Sequence, residues 1–322
     1  MEQLSANKYL DKAERRMLLQ RSDWKGLGEV CHTWLWIAAA FTLAGLYSNV
    51  FTIVIAFFIL GGKQLACAII MHDTSHYALF KKKSTNDFIG KWFGAYPVFN
   101  NLTQYRPYHY QHHVTTGTAE DPDISLTWGY PTSPKSMFRK FLRDLLGFTG
   151  IKGQLGLLAI HLGFYQYTMS REVRPTKNKH RSWSAFFKTG FNNLHGPILA
   201  NLMLFAVLWL FGAPWLYLLW IGALLTTFNF SARVRSIAEH SVVDNPEDPL
   251  RNTRTTYANW LERMLFAPHH VNYHLEHHML MSVPPYNLPK MHAILKQKGF
   301  YEEAGLLEKN YWNIIKLAIQ KK

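Results

Sequence analysis

Cysteine is nearly absent from this chain: Cys31 and Cys67 are the only two among 322 residues. Two thiols in or beside one apolar stretch exclude a disulfide framework, a four-cysteine zinc site and a thiolate-bound iron–sulfur cluster. Charge is missing from two long blocks. Residues 31–62 hold no Asp, Glu, Lys or Arg, and neither do residues 196–232. Each block exceeds the roughly 20 residues that cross a bilayer as a helix, so each is expected to form a hairpin of two spans. The mean hydropathy of −0.12 hides this, because the charges are concentrated elsewhere.

The first block continues to residue 70 with Lys63 as its one interruption, and it should turn near Tyr47-Ser48-Asn49. The second should turn near Gly212-Ala213-Pro214, where Gly and Pro suit a tight reversal. Trp34, Trp36, Trp209, Trp215 and Trp220 lie near the expected span ends, where indole rings favour the interface. Basic residues flank the hairpins: Lys8 to Lys25, Lys81 to Lys83, Arg171 to Arg181, then Arg233 and Arg235. The positive-inside rule then puts both termini and the middle segment in the cytoplasm. The net charge of +14 is read as topology and attraction to anionic headgroups, with docking of an acidic partner as an added role and no nucleic acid. The highly charged first 30 residues do not resemble a cleavable signal peptide.

The expected architecture is therefore an all-α integral membrane protein with four transmembrane helices, arranged as two hairpins under a cytoplasmic helical cap. One domain, 1–322, divides into a cytoplasmic N-terminal segment (1–30), hairpin one (31–71), a first cap portion (72–195), hairpin two (196–232) and a second cap portion (233–322). Residues 153–170 are uncharged and about one span long, but a fifth span would separate residue 113 from residue 240 across the membrane. An interfacial or re-entrant helix is expected there.

What the chain has in excess is histidine. "HDTSH" (72–76), "HYQHH" (109–113) and "HLEHH" (274–278) cluster eight of the 16. Chance would supply each triplet roughly 0.04 times in such a chain. On a helix, positions i, i+3 and i+4 share a face, so each triplet should aim three imidazoles at one point. His72, His76, His109, His112, His113, His240, His274, His277 and His278 all fall on the cytoplasmic side by the charge argument. Nine ligands are too many for one zinc. They suit two ions with four or five each, and a nitrogen-rich shell with open positions suits redox-active iron that must bind O2. Asp73, Glu239 and Glu276 are expected to hydrogen-bond ligating imidazoles, with Arg235 pairing to Glu239 at i+4. His269 and His270 are read as supporting or surface residues. His32, His161, His180, His195 and His292 have no partner pattern and are read as structural.

In order and content, "HDTSH", "HYQHHVTTGTAEDPD", "RSIAEH" and "NYHLEHHMLMSVPPYNLPKMHAIL" resemble the three histidine boxes of membrane fatty acid desaturases and their hydroxylase relatives. The resemblance runs from about residue 60 to 296. It implies a di-iron site with the same nine histidines as ligands, O2 as co-substrate, and a lipid drawn from the bilayer. It also implies either a double bond or a hydroxyl as product, since both outcomes start from one C–H oxidation and differ in how the carbon chain is positioned. Some acyl-CoA desaturases have Asn four residues before the lone histidine; Ser236 stands there in this chain. Box three begins with His274 and not the Gln of the members with a fused cytochrome b5, and no "HPGG" haem motif is present. A separate electron carrier, a ferredoxin or cytochrome b5, is therefore expected on the basic face. The Arg235…Glu239-His240 arrangement is similar to a subgroup that includes hydroxylases of carotenoids and small lipophilic substrates.

The substrate should enter between the hairpins, with Gly61-Gly62 and the aromatic stretch 92–108 as candidate walls. "EDPD" (120–123) has the composition of a turn. The C-terminal stretch 302–322 has the spacing of a helix lying on the cap or the membrane. Two rival readings follow from the same residues. A metal transporter would place ligands at mid-bilayer, where this chain has only Lys63. A single-zinc membrane hydrolase would differ in metal stoichiometry.

Overall fold

A computed structural model describes residues 2–170, 174–176 and 182–319 of the chain. Arg171, Lys177, Lys179, His180 and Arg181, all used in the reading above, lie outside the described residues. Helices carry nearly all the regular structure. Those that position the histidines are α1 (Asp23–Leu46), α2 (Val50–Ser75), α3 (Leu102–Thr115), α4 (Phe148–His161), α5 (Trp183–Leu210), α6 (Leu216–Leu225), α7 (Thr227–His240), α8 (His274–Met279), α9 (Leu288–Gln297) and α10 (Tyr311–Ile319). The described strands are two-residue pieces, β1 (Thr255–Thr256) and β2 (Leu307–Glu308), paired in parallel.

Among the described residues three helices, α1, α2 and α5, are long and apolar enough to cross a membrane. The turn between α1 and α2 falls at Tyr47-Ser48-Asn49, where the Asn49 side chain accepts from the backbone N–H groups of Phe51 and Thr52 and caps α2. All three helices outrun the charge-free blocks at one end. α1 begins at Asp23 and α5 at Trp183, because a helix stops where its backbone bonds end and not where its side chains become polar. The reversal at Gly212-Ala213-Pro214 also occurs, with Gly212 at φ +74°. Beyond it the expected single span is broken. α6 and α7 meet at Thr226, whose φ/ψ of −119°/−89° is not helical, and its hydroxyl donates to the Gly222 carbonyl.

α2 is the hub. Its first turns expose Val50, Phe51, Val54 and Ile55, whereas nearly every residue from Leu60 to Ser75 is buried by protein. The change of environment coincides with Gly61 and Gly62. A Cβ on Gly61 would stand 2.3 Å from Thr227 Oγ1, and one on Gly62 would stand 2.5 Å from the Met264 carbonyl oxygen. These glycines bring α7 and the 264–265 backbone against α2 as packing residues, and neither lines the two cavities described below. Thr227 donates to the Phe57 carbonyl and Gln64 Nε2 to the Trp220 carbonyl, which satisfies polar groups where water is scarce. Trp220 is fully buried in this contact and donates to the Pro97 carbonyl, so it belongs to the core and not to an interfacial belt.

α4 has 14 residues, roughly 21 Å, and is too short for a ~30 Å hydrocarbon core. It presents Phe148, Ile151, Leu155 and Leu158 outward. α10 packs on α7 through Tyr311, Ile314 and Ala318.

Candidate metal centre

Four segments meet at the buried end of α2. His72 lies on its last turn and His76 caps it. α3, started by the Asn101 side chain on Thr103 and Gln104, carries His109, His112 and His113. Arg106 of α3 fixes the register of these two helices: its Nε donates to the Ser75 carbonyl at 3.0 Å and its Nη2 pairs with Asp87 at 2.5 Å. α7 ends on His240. α8, only six residues long, supplies His274, His277 and His278 after two consecutive left-handed residues, His269 and His270.

All nine histidines converge, and they divide. His72, His76, His109, His113 and His277 form one group; His112, His240, His274 and His278 form the other. Within each group the potential ligand atoms lie within 4.8 Å of one another. The groups abut, with the His113 and His278 ring centroids 4.3 Å apart. Each triplet is therefore split and does not aim at one point. In α3 the i,i+4 pair His109/His113 faces the first group and His112 the second; in α8 the pair His274/His278 faces the second group and His277 the first. Two triplets on two helices thus cross-link two centres.

The inward atoms are nitrogens in mutual approach. His113 Nε2 is 3.1 Å from both His109 Nε2 and His277 Nε2, and His240 Nε2 is 2.9 Å from His274 Nε2. Burial pushes His109, His113, His274, His277 and His278 well below the ordinary imidazole range, so each is neutral and has a lone pair to give. His72 Nε2, His76 Nε2 and His278 Nε2 are buried with no hydrogen-bond partner. Buried polar atoms are normally satisfied, so these orphans fit a shell built to hold cations. Five and four imidazoles with no cysteine fit two transition-metal ions.

Three of the rings are held on their far sides. His72 Nδ1 lies 2.8 Å from Asp73, His112 Nδ1 lies 2.8 Å from Asp121, and His240 Nδ1 lies 3.2 Å from the Asn252 carbonyl. Burial disfavours the charge on His112, but the Asp121 hydrogen bond and the nearby carboxylates outweigh it and raise its pKa; His112 in turn draws Asp121 below the usual carboxylate range, against burial. Glu239 pairs with Arg235 at 2.6 Å and stands 3.5 Å from His274 Nδ1. Glu276 departs from expectation. It faces away from the nine histidines and binds His292 Nδ1 at 2.6 Å, together with the hydroxyls of Thr255 and Tyr301. His292 is thereby a buried partner of box three's carboxylate. Sequence reasoning missed Asp121, which sits inside the "EDPD" turn. Its one signal was a carboxylate nine residues after His112. His269 and His270 belong to neither group, and His161 bonds Gln104 and the Phe99 carbonyl.

A cavity of about 1020 Å³ opens between α1 and α5, lined among others by Trp34, Phe41, Trp92, Phe93, Met203 and Phe211. No histidine lines it. The 90–98 segment that supplies Trp92, Phe93 and Pro97 packs through Gly94 onto Cys67 and Met71 of α2. Of the candidate walls, Trp92, Phe93 and Pro97 at the start of the aromatic stretch line this cavity.

A family model described as fatty acid desaturase matches residues 44–312. The chain is 29% identical over 277 residues to the dihydrorhizobitoxine desaturase of Bradyrhizobium elkanii, covering 84% of this chain and 75% of that one. It is 22% identical over 277 residues to an sn-1 oleoyl-lipid 12-desaturase of Anabaena variabilis, covering 83% and 75%. It is also 24% identical over 249 residues to a putative sphingolipid delta(4)-desaturase/C4-monooxygenase of Caenorhabditis elegans, covering 77% and 59%.

Proposed function

The chain belongs to the fatty acid desaturase family, and we propose that it is an O2-dependent membrane di-iron oxidase that introduces a double bond into a fatty acyl or other lipid chain. The observation that carries this reading is the five-and-four division of nine buried imidazoles. His72, His76, His109, His113 and His277 would hold one iron; His112, His240, His274 and His278 would hold the other. Two irons bound there, supplied with O2 and electrons, provide the oxidant for an unactivated C–H bond.

The protein's own part is positioning. Asp73, Asp121 and the Asn252 carbonyl accept from Nδ1–H, which fixes the tautomer and leaves Nε2 free to face a metal. Glu239, paired with Arg235, lies 3.5 Å from His274 Nδ1, close enough to bias that ring electrostatically. The Arg106 bridge keeps box one and box two in register. The apolar cavity between α1 and α5 supports lateral entry of a lipid tail from the bilayer, as expected for a substrate that never dissolves in water.

The proposed topology has four crossings and both termini cytoplasmic. α2 delivers His72 and α7 delivers His240 to one cap, so an even number of crossings must separate them. α5 provides one, and α6 with the first turns of α7 provides the return. Electrons come from a separate carrier of the ferredoxin or cytochrome b5 type, attracted to the basic cytoplasmic face. A hydroxylase is the second reading, favoured by the relative whose name joins desaturase and C4-monooxygenase.

Lipid mass spectrometry of host membranes expressing the chain, beside a His113→Ala control, tests the proposal. New His113-dependent species lacking two hydrogens are expected. Species gaining one oxygen would instead establish the hydroxylase, and unchanged lipids alongside one zinc per chain would sink both.

A further inference from the structure

A second cavity, of about 300 Å³, lies away from the nine histidines, between α1, α2 and the short helix Trp260–Leu265. Lys63 lines it and is 2% exposed. Its ammonium makes no hydrogen bond or ion pair with any described residue and faces the Trp36 ring at 5.8 Å. A buried cation with no anion in contact is costly, so such a group favours a ligand that neutralises it. The rest of the lining points the same way. Arg263 adds a second positive charge, and His32 and His270 add ring nitrogens, with the buried His270 Nδ1 unpartnered. The one carboxylate, Glu29, is already engaged by His269 Nδ1 at 2.6 Å, and His269 Nε2 lies 2.9 Å from Thr33 Oγ1.

The cavity's depth is set by α2. Lys63 directly follows the charge-free block and Gly62, where α2 passes from exposed apolar side chains to protein-buried ones. Trp260 and Leu261 beside it are exposed, and indoles favour the level of lipid headgroups. An anion at that depth would most simply be the head of an amphiphile whose tail stays in the bilayer.

We propose that this cavity binds the anionic head, carboxylate or phosphate, of one lipid molecule, with Lys63 as its main charge partner and Arg263 at its rim. The site goes beyond the proposed reaction and does not rest on it, because occupancy is read without turnover. Native mass spectrometry of the full chain in neutral detergent is the test, titrating oleate, dioleoyl phosphatidate, uncharged dioleoylglycerol and inorganic phosphate.

One molecule of oleate or phosphatidate should bind in preference to dioleoylglycerol, and the stronger of the two identifies the head chemistry. Lys63→Met should weaken that binding about tenfold or more, Lys63→Arg should retain it, and the exposed Arg263→Gln should weaken it by a smaller factor. Arg263→Gln keeps the proposal testable should Lys63→Met fail to fold. Equal binding of charged and uncharged lipid, or affinity unaltered in both Lys63→Met and Arg263→Gln, would overturn the site. Inorganic phosphate binding as tightly as phosphatidate would overturn the lipid assignment.

Discussion

In "HLEHH" each residue turns the helix by about 100°, so His277 and His278 stay within about 60° of His274 while Glu276 lies about 200° away. That geometry explains why one motif contains both inward imidazoles and an outward carboxylate bound to His292, Thr255 and Tyr301. The eight histidines of the three boxes were legible from spacing, because helical periodicity is a local property, whereas His240 was placed with them only by its position after the second hairpin and by the gap the eight leave. A split into four and five was expected from the total of nine, but which histidine joins which group was not legible, since that depends on how α3 and α8 meet. Asp121 was hidden for a related reason: it reaches His112 through a loop, and loop paths have no period to read. The two carboxylates should therefore fail differently. Asp121→Asn should cost roughly 10–100-fold in iron affinity, seen as iron lost during dialysis against a chelator, because an uncharged amide replaces the carboxylate that orients His112 and its NH2 group would face the Gly117 N–H. Glu276→Gln should leave iron content near that of the unaltered chain and lower the midpoint of thermal unfolding in detergent. Equal iron loss in both would refute this assignment of roles.

At the scale of elements, the turns at 47–49 and 212–214 were readable because Asn, Gly and Pro signal them directly. The break at Thr226 was not, because no Gly or Pro marks it and the bend arises where α7 must lean over α2. Gly61 is where that lean is accommodated. Gly61→Ala should destabilise by about 1–3 kcal/mol through forced separation of α2 and α7. Gly28→Ala on α1 meets open space and should be neutral or slightly stabilising, since Ala is the better helix former. Unfolding midpoints of the two variants in one detergent decide it; matching shifts would mean that the Gly61 contact is soft. Arg106 links elements in another way, holding the end of α2 to α3. Arg106→Gln should lower turnover through looser registry between His72/His76 and His109/His113, and iron content should fall less than it does in His113→Ala. Iron loss as complete as in His113→Ala would mean that Arg106 is needed to form the centre and not merely to align it.

For the whole molecule, the histidine cluster itself constrains the membrane path more tightly than hydropathy does. Three helices satisfy length and apolarity, whereas α6 covers only about 15 Å and cannot cross alone. Yet His76 and His240 contribute to abutting groups, so the chain that leaves the cap along α5 must come back before residue 240. The 17 residues 216–232 are charge-free and, though bent at Thr226, reach roughly 26 Å, close to the hydrocarbon thickness. The bend is compatible with a bilayer because Thr226 and Thr227 return their hydroxyls to the Gly222 and Phe57 carbonyls. In the proposed four-crossing topology both turns, 47–49 and 211–215, emerge on the face opposite the cap. Single cysteines at Ser48 and Phe211, in a chain with Cys31 and Cys67 replaced by Ala, should react with a membrane-impermeant maleimide from one and the same side. A cysteine at Lys309, beside β2, should react from the other side only after the membrane is opened. If Ser48→Cys and Phe211→Cys were labelled from opposite sides, α6 would not be a crossing, and the two halves of the histidine shell would need another route to meet.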